Sequence, residues 1–249
     1  MTTTRAQSSL LSPAVLLEIW ERGAAWHPID QALLILRHGA PETRSDDPSE
    51  WPIGRRDRRL LEIRRDIFGD CIDGYAECSV CRSGLEFELS CGSLLEQQDG
   101  TNPSEQTIEH DGRQWTLHAP NSRDLAVAAL APDLNSARAE LLARCLRPAS
   151  QGDQDPASPA MFSEARLVER LAELDPLAEI LLDLTCQACG HTWQCVFDIA
   201  TFLWSEICRR SRRVLQEIDL LARTYGWTEN DILGLSDHRR GLYVQLALS

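Results

Sequence analysis

Nine cysteines lie along the 249 residues, and four of them form two C-x-x-C pairs, Cys78-Ser79-Val80-Cys81 and Cys186-Gln187-Ala188-Cys189. Two thiolates on one tight turn can reach the same ion at about 2.3 Å, and two such turns complete a tetrahedral shell of four sulfurs. That is the chemistry of a structural zinc site. A catalytic zinc instead keeps one position open beside a general base. Residues 82 to 185, 104 in number, separate the pairs, far more than in a common zinc ribbon. Loop-closure entropy grows only logarithmically with length, so an insertion of this size is tolerable if it leaves and returns at neighbouring points.

Other readings of the cysteines remain open. The pairs could form two incomplete sites, or pack as small apolar groups. A thioredoxin-like redox pair fits less well, because neither C-x-x-C opens a helix after a strand. His191, in Cys189-Gly190-His191, could ligate, but four thiolates make it redundant. Cys91 and Cys195 fall on apolar strand faces, and Cys71, Cys145 and Cys208 read as packing residues.

The pairs need elements to carry them. Leu85, Phe87, Leu89 and Cys91 alternate with polar residues after the first pair. Ala178, Ile180, Leu182 and Leu184 alternate before the second, and Trp193, Cys195, Phe197 and Ile199 after it. Each pair is therefore expected at the tip of a β-hairpin, giving a weak internal repeat. Around them the pattern is helical. Ser12 and Pro13 open a helix to about Arg22, and Pro28 opens one that stops at Gly39 and Pro41. After an acidic loop from Glu42 to Glu50, a helix from Arg55 to Phe68 carries Leu60, Leu61, Ile63 and Ile67, with its arginines expected in solvent. Asp111-Gly112 marks a hairpin turn between Ser104–His110 and Arg113–His118. Asn121 or Ser122 caps a helix that runs into another, Leu134–Leu146, and Pro148 to Pro159 reads as a proline-punctuated linker. Ser163 caps a short helix ending near Asp175-Pro176. Asp198 caps the longest helix, whose stripe of Phe202, Leu203, Ile207, Val214, Ile218, Leu221 and Tyr225 stops at Gly226. Thr228 with Asp231 and then Ser236 open the last two helices.

Composition limits the function classes. The hydrophobic fraction is 43% and the charged fraction 25%, ordinary for a chain with a real core. The net charge of −13 disfavours nucleic-acid binding, which needs a basic face. All 25 cationic side chains are arginine, an excess that a GC-rich coding sequence explains most simply. The polar stretch Met1–Leu10 reads as no secretory signal, and no apolar run approaches the roughly 18 residues of a membrane span. A cytoplasmic, membrane-free protein is expected. No H-E-x-x-H, phosphate-cradling glycine loop or nucleophile elbow occurs, so no catalytic residue is assigned.

Several stretches in order, "LLEIWERG", "WPIGRRDRRLLEIRRDIFG", the first pair followed by "LEFEL", "PNSRDL", "CQACGHTW", "FDIATFLWSEI" and "LARTYGWTENDILGLSDHRRGLY", resemble the baseplate-hub assembly chaperone-like proteins of contractile-tailed phages and extracellular contractile injection systems. The resemblance runs from about Ser12 to Leu246, and the order of the motifs carries it. The ending is also similar to those of tail-assembly chaperones more widely, and the Pro148–Pro159 linker has no counterpart. The resemblance implies a cytoplasmic factor or minor component acting on baseplate or hub proteins, without catalytic residues, with Cys78, Cys81, Cys186 and Cys189 at its metal-type positions.

The expectation is an α+β protein built on a split four-cysteine zinc ribbon. Its parts are a helical N-terminal region (1–70), a first ribbon half (71–92), an insertion (93–176) with a linker at 148–161, a second ribbon half (177–198) and a helical C-terminal region (199–249). It holds one structural Zn2+ and works as a non-catalytic chaperone or adaptor. The alternatives are a permanent baseplate subunit, a zinc-ribbon nucleic-acid-binding regulator and a metal-dependent hydrolase. Trp20, Trp26, Trp51, Trp204 and Trp227 are candidates for a partner-binding patch or for the core. Arg209, Arg210, Arg212 and Arg213 form a solvated face or a contact for an acidic partner.

Overall fold

The computed structural model describes residues 11–40, 46–96, 104–110, 112–149 and 162–249. The Met1–Leu10 stretch, Pro41 to Ser45 of the acidic loop region, the turn residue Asp111, and residues 150–161 of the expected linker lie outside these. Helices and short antiparallel sheets are both present, as an α+β chain requires.

The N-terminal helices begin where their caps dictate. Ser12 accepts a hydrogen bond from the Val15 N–H and precedes α1 (Pro13–Gly23), and Pro28 opens α2 (Pro28–Gly39). Helix α3 (Ile53–Phe68) leads into β1 (Cys71–Glu77), which pairs antiparallel with β2 (Gly84–Ser90). The ring of Phe87 lies over Gly74, its direct cross-strand neighbour, where no side chain would fit. The chain then forms α4 (Cys91–Glu96), β3 (Glu105–His110), β4 (Arg113–His118), α5 (Ser122–Ala128) and α6 (Leu134–Cys145). Asn121 and Asp124 close a reciprocal cap on α5. After β5 (Leu146–Pro148) come α7 (Glu164–Leu174), β6 (Ile180–Thr185) and β7 (Thr192–Phe197). Asp198, accepting from Ala200 and Thr201 N–H groups, starts the long α8 (Ile199–Tyr225), which is followed by α9 (Glu229–Leu233) and α10 (Asp237–Leu248).

The main core gathers one stripe from each of α1, α2, α3 and α8: Ile19, Ile35, Leu60, Ile63, Leu203 and Ile207 are fully buried, with Ile72 of β1 and Leu94 of α4 beside them. The insertion has a smaller core of its own around Trp115, Leu117, Leu142, Cys145, Leu167 and Leu174. Helix α8 spans about 40 Å at 1.5 Å per residue, and its second half packs on α9 and α10. There Arg240, 1% exposed, donates to Glu217 at 2.8 Å and Asp237 at 2.7 Å. Tyr225, Trp227 and Tyr243 cluster edge-to-face and stacked at the same end.

Several expectations need correction. The arginines of α3 do not all face solvent. Arg56 and Arg64 are 5% and 3% exposed. Arg64 forms a two-pronged pair with Glu206 of α8, at 2.9 and 3.0 Å, and also donates to the carbonyls of Gly69 and Cys71. Arg56 donates to Asp57 at 2.7 Å, and burial pushes the Asp57 carboxyl up to about 6 despite that neighbour. The Leu134 helix stops at Cys145, because Leu146–Pro148 pairs with β4 as a third strand, so the linker cannot begin at Pro148. Ala178 lies in a one-turn 3₁₀ segment and Ile199 starts α8, so neither extends its strand. Ser163 precedes α7 without capping it through its side chain. Cys91 is buried but starts α4, Cys71 is exposed rather than packed, Cys145 is buried, and Cys195 and Cys208 are half-buried. Trp51 belongs to the interior and Trp26 is exposed, with Trp20, Trp204 and Trp227 between them. In the arginine run, Arg209, Arg212 and Arg213 are exposed, while Arg210 is half-buried against Asp237.

The middle of the insertion and its C-terminal end meet at the start of α3. Ile53 N–H donates to Pro120 O, Pro52 pairs with Asn121 as an isolated bridge, and Gly54 N–H donates to Asp175 at 2.7 Å. A Cβ at residue 54 would lie 1.9 Å from Asp175 Oδ1. Alanine is normally the better helix residue by about 1 kcal/mol. Gly54→Ala is nevertheless expected to destabilise the protein, by about 1–3 kcal/mol, because Asp175 must move off the amide that holds it. Urea denaturation of the two proteins measures the sign.

Candidate metal centre

The two cysteine turns share one backbone design. In the first, the Cys78 N–H donates to Ser83 O at 2.9 Å and the Arg82 N–H donates to Cys78 O at 3.0 Å. In the second, the Cys186 N–H donates to His191 O at 2.8 Å and the Gly190 N–H donates to Cys186 O at 2.9 Å. The residue after the second cysteine is left-handed in both, with φ of 63° at Arg82 and 73° at Gly190. This curl turns both sulfurs of a pair to one side. The β1–β2 and β6–β7 hairpins carry the turns at their tips, as the alternating patterns required.

The tips meet. All four Sγ atoms lie within 4.8 Å of one another. Cys78 and Cys189 are 3.7 Å apart and Cys81 and Cys186 are 3.5 Å apart, so each turn pairs its sulfurs with those of the other. A disulfide would bring two sulfurs to about 2.05 Å. Four sulfurs about 2.3 Å from a common centre would instead lie about 3.8 Å apart. The donor set and spacing therefore fit one metal ion. Cys78 and Cys186 are buried, while Cys81 and Cys189 face outward.

Crowded thiols do not ionise alike. Hydrogen bonds from the Ser83 hydroxyl and backbone, then from the Cys186 and Cys189 thiols, bring the Cys81 thiol down to about 6. At Cys189 the backbone N–H of His191 pulls downward, but the three neighbouring sulfurs and desolvation outweigh it and push the thiol up to about 12. One thiolate thus forms readily and the next is opposed by it. A bound cation removes that opposition.

His191 does not join the sulfurs: among the described residues, the group of mutually close ligand atoms holds the four cysteines alone. Its ring stacks on Trp193 at 5.8 Å, and Nε2 lies 3.4 Å from Ser79 Oγ on the facing turn. It bridges the two tips from outside the sulfur cluster.

Comparison with protein-family models, curated proteins and solved structures finds no match to this chain. Among the described residues, no helix is long and apolar enough to cross a membrane.

Two features escaped sequence reasoning. Ser83, two residues past Cys81, tunes that thiol, and its position after a C-x-x-C pair was the available signal. Cys71, Asp73 and Glu88 also bring ligand atoms within 4.8 Å of one another on the exposed face of β1–β2. Their i, i+2 spacing and the Asp73↔Glu88 register produce that grouping. Desolvation first, and then the two carboxylates, push the Cys71 thiol up.

The repeated turn geometry gives a paired test. Gly190→Ala places a side chain in the left-handed region and is expected to lose about 1–2 kcal/mol of stability. Arg82→Gly relieves the same strain at the equivalent position and loses only an exposed pair with Glu77. It is expected to be neutral or stabilising by up to about 1 kcal/mol, and thermal denaturation of both variants measures the contrast.

Proposed function

We propose that the four cysteines hold one structural Zn2+ and that the protein is a non-catalytic, cytoplasmic assembly chaperone or adaptor. Its clients on this reading are baseplate or hub proteins of a phage-tail-like contractile injection system. The observation that carries the metal part is the convergence of four sulfurs from two turns 104 residues apart. Soft, sulfur-only ligands favour zinc over the hard cations, and four protein ligands leave no open position for substrate or activated water. Structural zinc contributes on the order of 10–16 kcal/mol in small fingers, comparable with the whole stability of a domain. One ion is thus enough to fasten the two hairpins.

The client rests on the ordered motifs that resemble baseplate-hub assembly chaperone-like proteins. The acidic charge, and a site suited to holding structure rather than turning over substrate, are compatible with that role. Deleting the gene from a strain that produces the particles tests it. Complete particles should disappear while their baseplate and hub proteins are still made, and the wild-type gene should restore them. A gene carrying Cys78→Ser and Cys186→Ser should not. Normal particles in the deletion strain would overturn the reading, and stoichiometric retention of the chain in purified particles would make it a structural subunit instead.

A further inference from the structure

The two hairpins touch at their tips through the cysteine turns, yet among the described residues each remains a separate two-stranded sheet. Strands β2 and β6 therefore each keep an open edge. The tip hydrogen bonds determine which groups that edge offers. Cys78 N–H points at Ser83 and Cys186 N–H at His191, and peptide groups alternate in direction along an antiparallel strand. The N–H and C=O groups of Glu86, Glu88 and Ser90 on β2, and of Leu181 and Asp183 on β6, accordingly point away from their own partner strands. None of these five N–H groups is bonded to another part of the described chain.

Both edges border one groove of about 460 Å³ at the end of the hairpins away from the cysteines. That size lies within the roughly 300–1,000 Å³ of ligand sites. Its wall is apolar where Leu89, Leu94, Leu177, Ile180 and Leu182 reach it, and Leu181 stands beside them 45% exposed. Glu88 and Glu179 line it as well, both exposed, and among the described residues no arginine is paired with either. Arginines elsewhere are commonly paired to carboxylates, as at Arg64, Arg144 and Arg240.

These features select an occupant. Unpaired strand edges take an extended backbone, apolar walls take alternate side chains, and unpaired carboxylates take cations. A second copy of this chain is disfavoured, since each carries a net charge of −13 and Glu86 and Glu88 stand on the edge itself. We propose that the groove docks an extended segment of a partner protein, with apolar residues alternating with arginine or lysine, as a strand added to β2 or β6. The inference deepens the adaptor reading and rests on it for the existence of a protein client. It is independent of the metal's identity.

A random-peptide display selection on the full-length protein tests the proposal. Selected peptides should alternate apolar residues with Arg or Lys. They should bind at least tenfold more weakly to a Glu88→Arg, Glu179→Arg protein, whose substituted side chains face solvent. Leu181→Pro, which removes one outward N–H without touching the β6–β7 ladder, should also weaken peptides that pair with β6. Denaturation midpoints equal to the parent's establish that the variants are folded. No enrichment of such peptides, or equal binding to the charge-reversed protein, would overturn the proposal. The two readings separate in the particle-forming strain. If the charge-reversed gene restores particles fully where deletion abolishes them, the groove fails and the adaptor role survives. If deletion leaves particles intact while the peptides bind as described, the adaptor role fails and the groove survives.

Discussion

Four sulfur atoms within 4.8 Å of one another are an unfavourable arrangement for thiols that must ionise and a favourable one for thiolates around a cation. That difference bears on the two hairpins that carry the turns. Each pair alone is a small turn on a hairpin that, among the described residues, no third strand flanks, and an isolated two-stranded hairpin is marginal in water. Joining the tips turns two weak elements into one cross-braced unit. The turns are separated by 104 residues, so the chain between them must leave and return at neighbouring points.

Beyond α4, whose Leu94 and Leu95 join the main core, the insertion meets that demand largely through polar contacts. The start of α3 holds it at its middle and its C-terminal end: Ile53 and Pro52 take Pro120 and Asn121, and Gly54 takes Asp175. Its own apolar cluster is separate from the main one. Arg64 does similar work nearer the hairpins, joining α3, the start of β1 and α8 through one guanidinium. Removing one partner of such a buried pair commonly destabilises by about 3–5 kcal/mol, because the other charge stays buried without compensation.

Much of this was legible from local chemistry. Ser12, Asn121, Asp198, Thr228 and Ser236 open helices where their side chains can cap, and strand alternation placed both cysteine turns at hairpin tips. The convergence of the pairs followed from coordination chemistry rather than from any local pattern. What stayed hidden depends on partners distant in sequence. Arg64 reads as a surface residue until Glu206, 142 positions away, is brought beside it. Strand β5 is three residues long and ends in proline, too short for a period and recognisable only by its pairing with β4. Cys71 was misplaced although its parity was available: it shares a face with Asp73, Tyr75 and Glu77, while Ile72 on the other face is buried.

Zinc K-edge X-ray absorption on the purified full-length protein, together with elemental analysis, addresses the shared-ion claim most directly. The account predicts one zinc per chain, with four sulfurs at about 2.3 Å and no nitrogen or oxygen in the first shell. A mixed shell, a stoichiometry of two ions per chain, or a stably folded protein that binds no metal would contradict it.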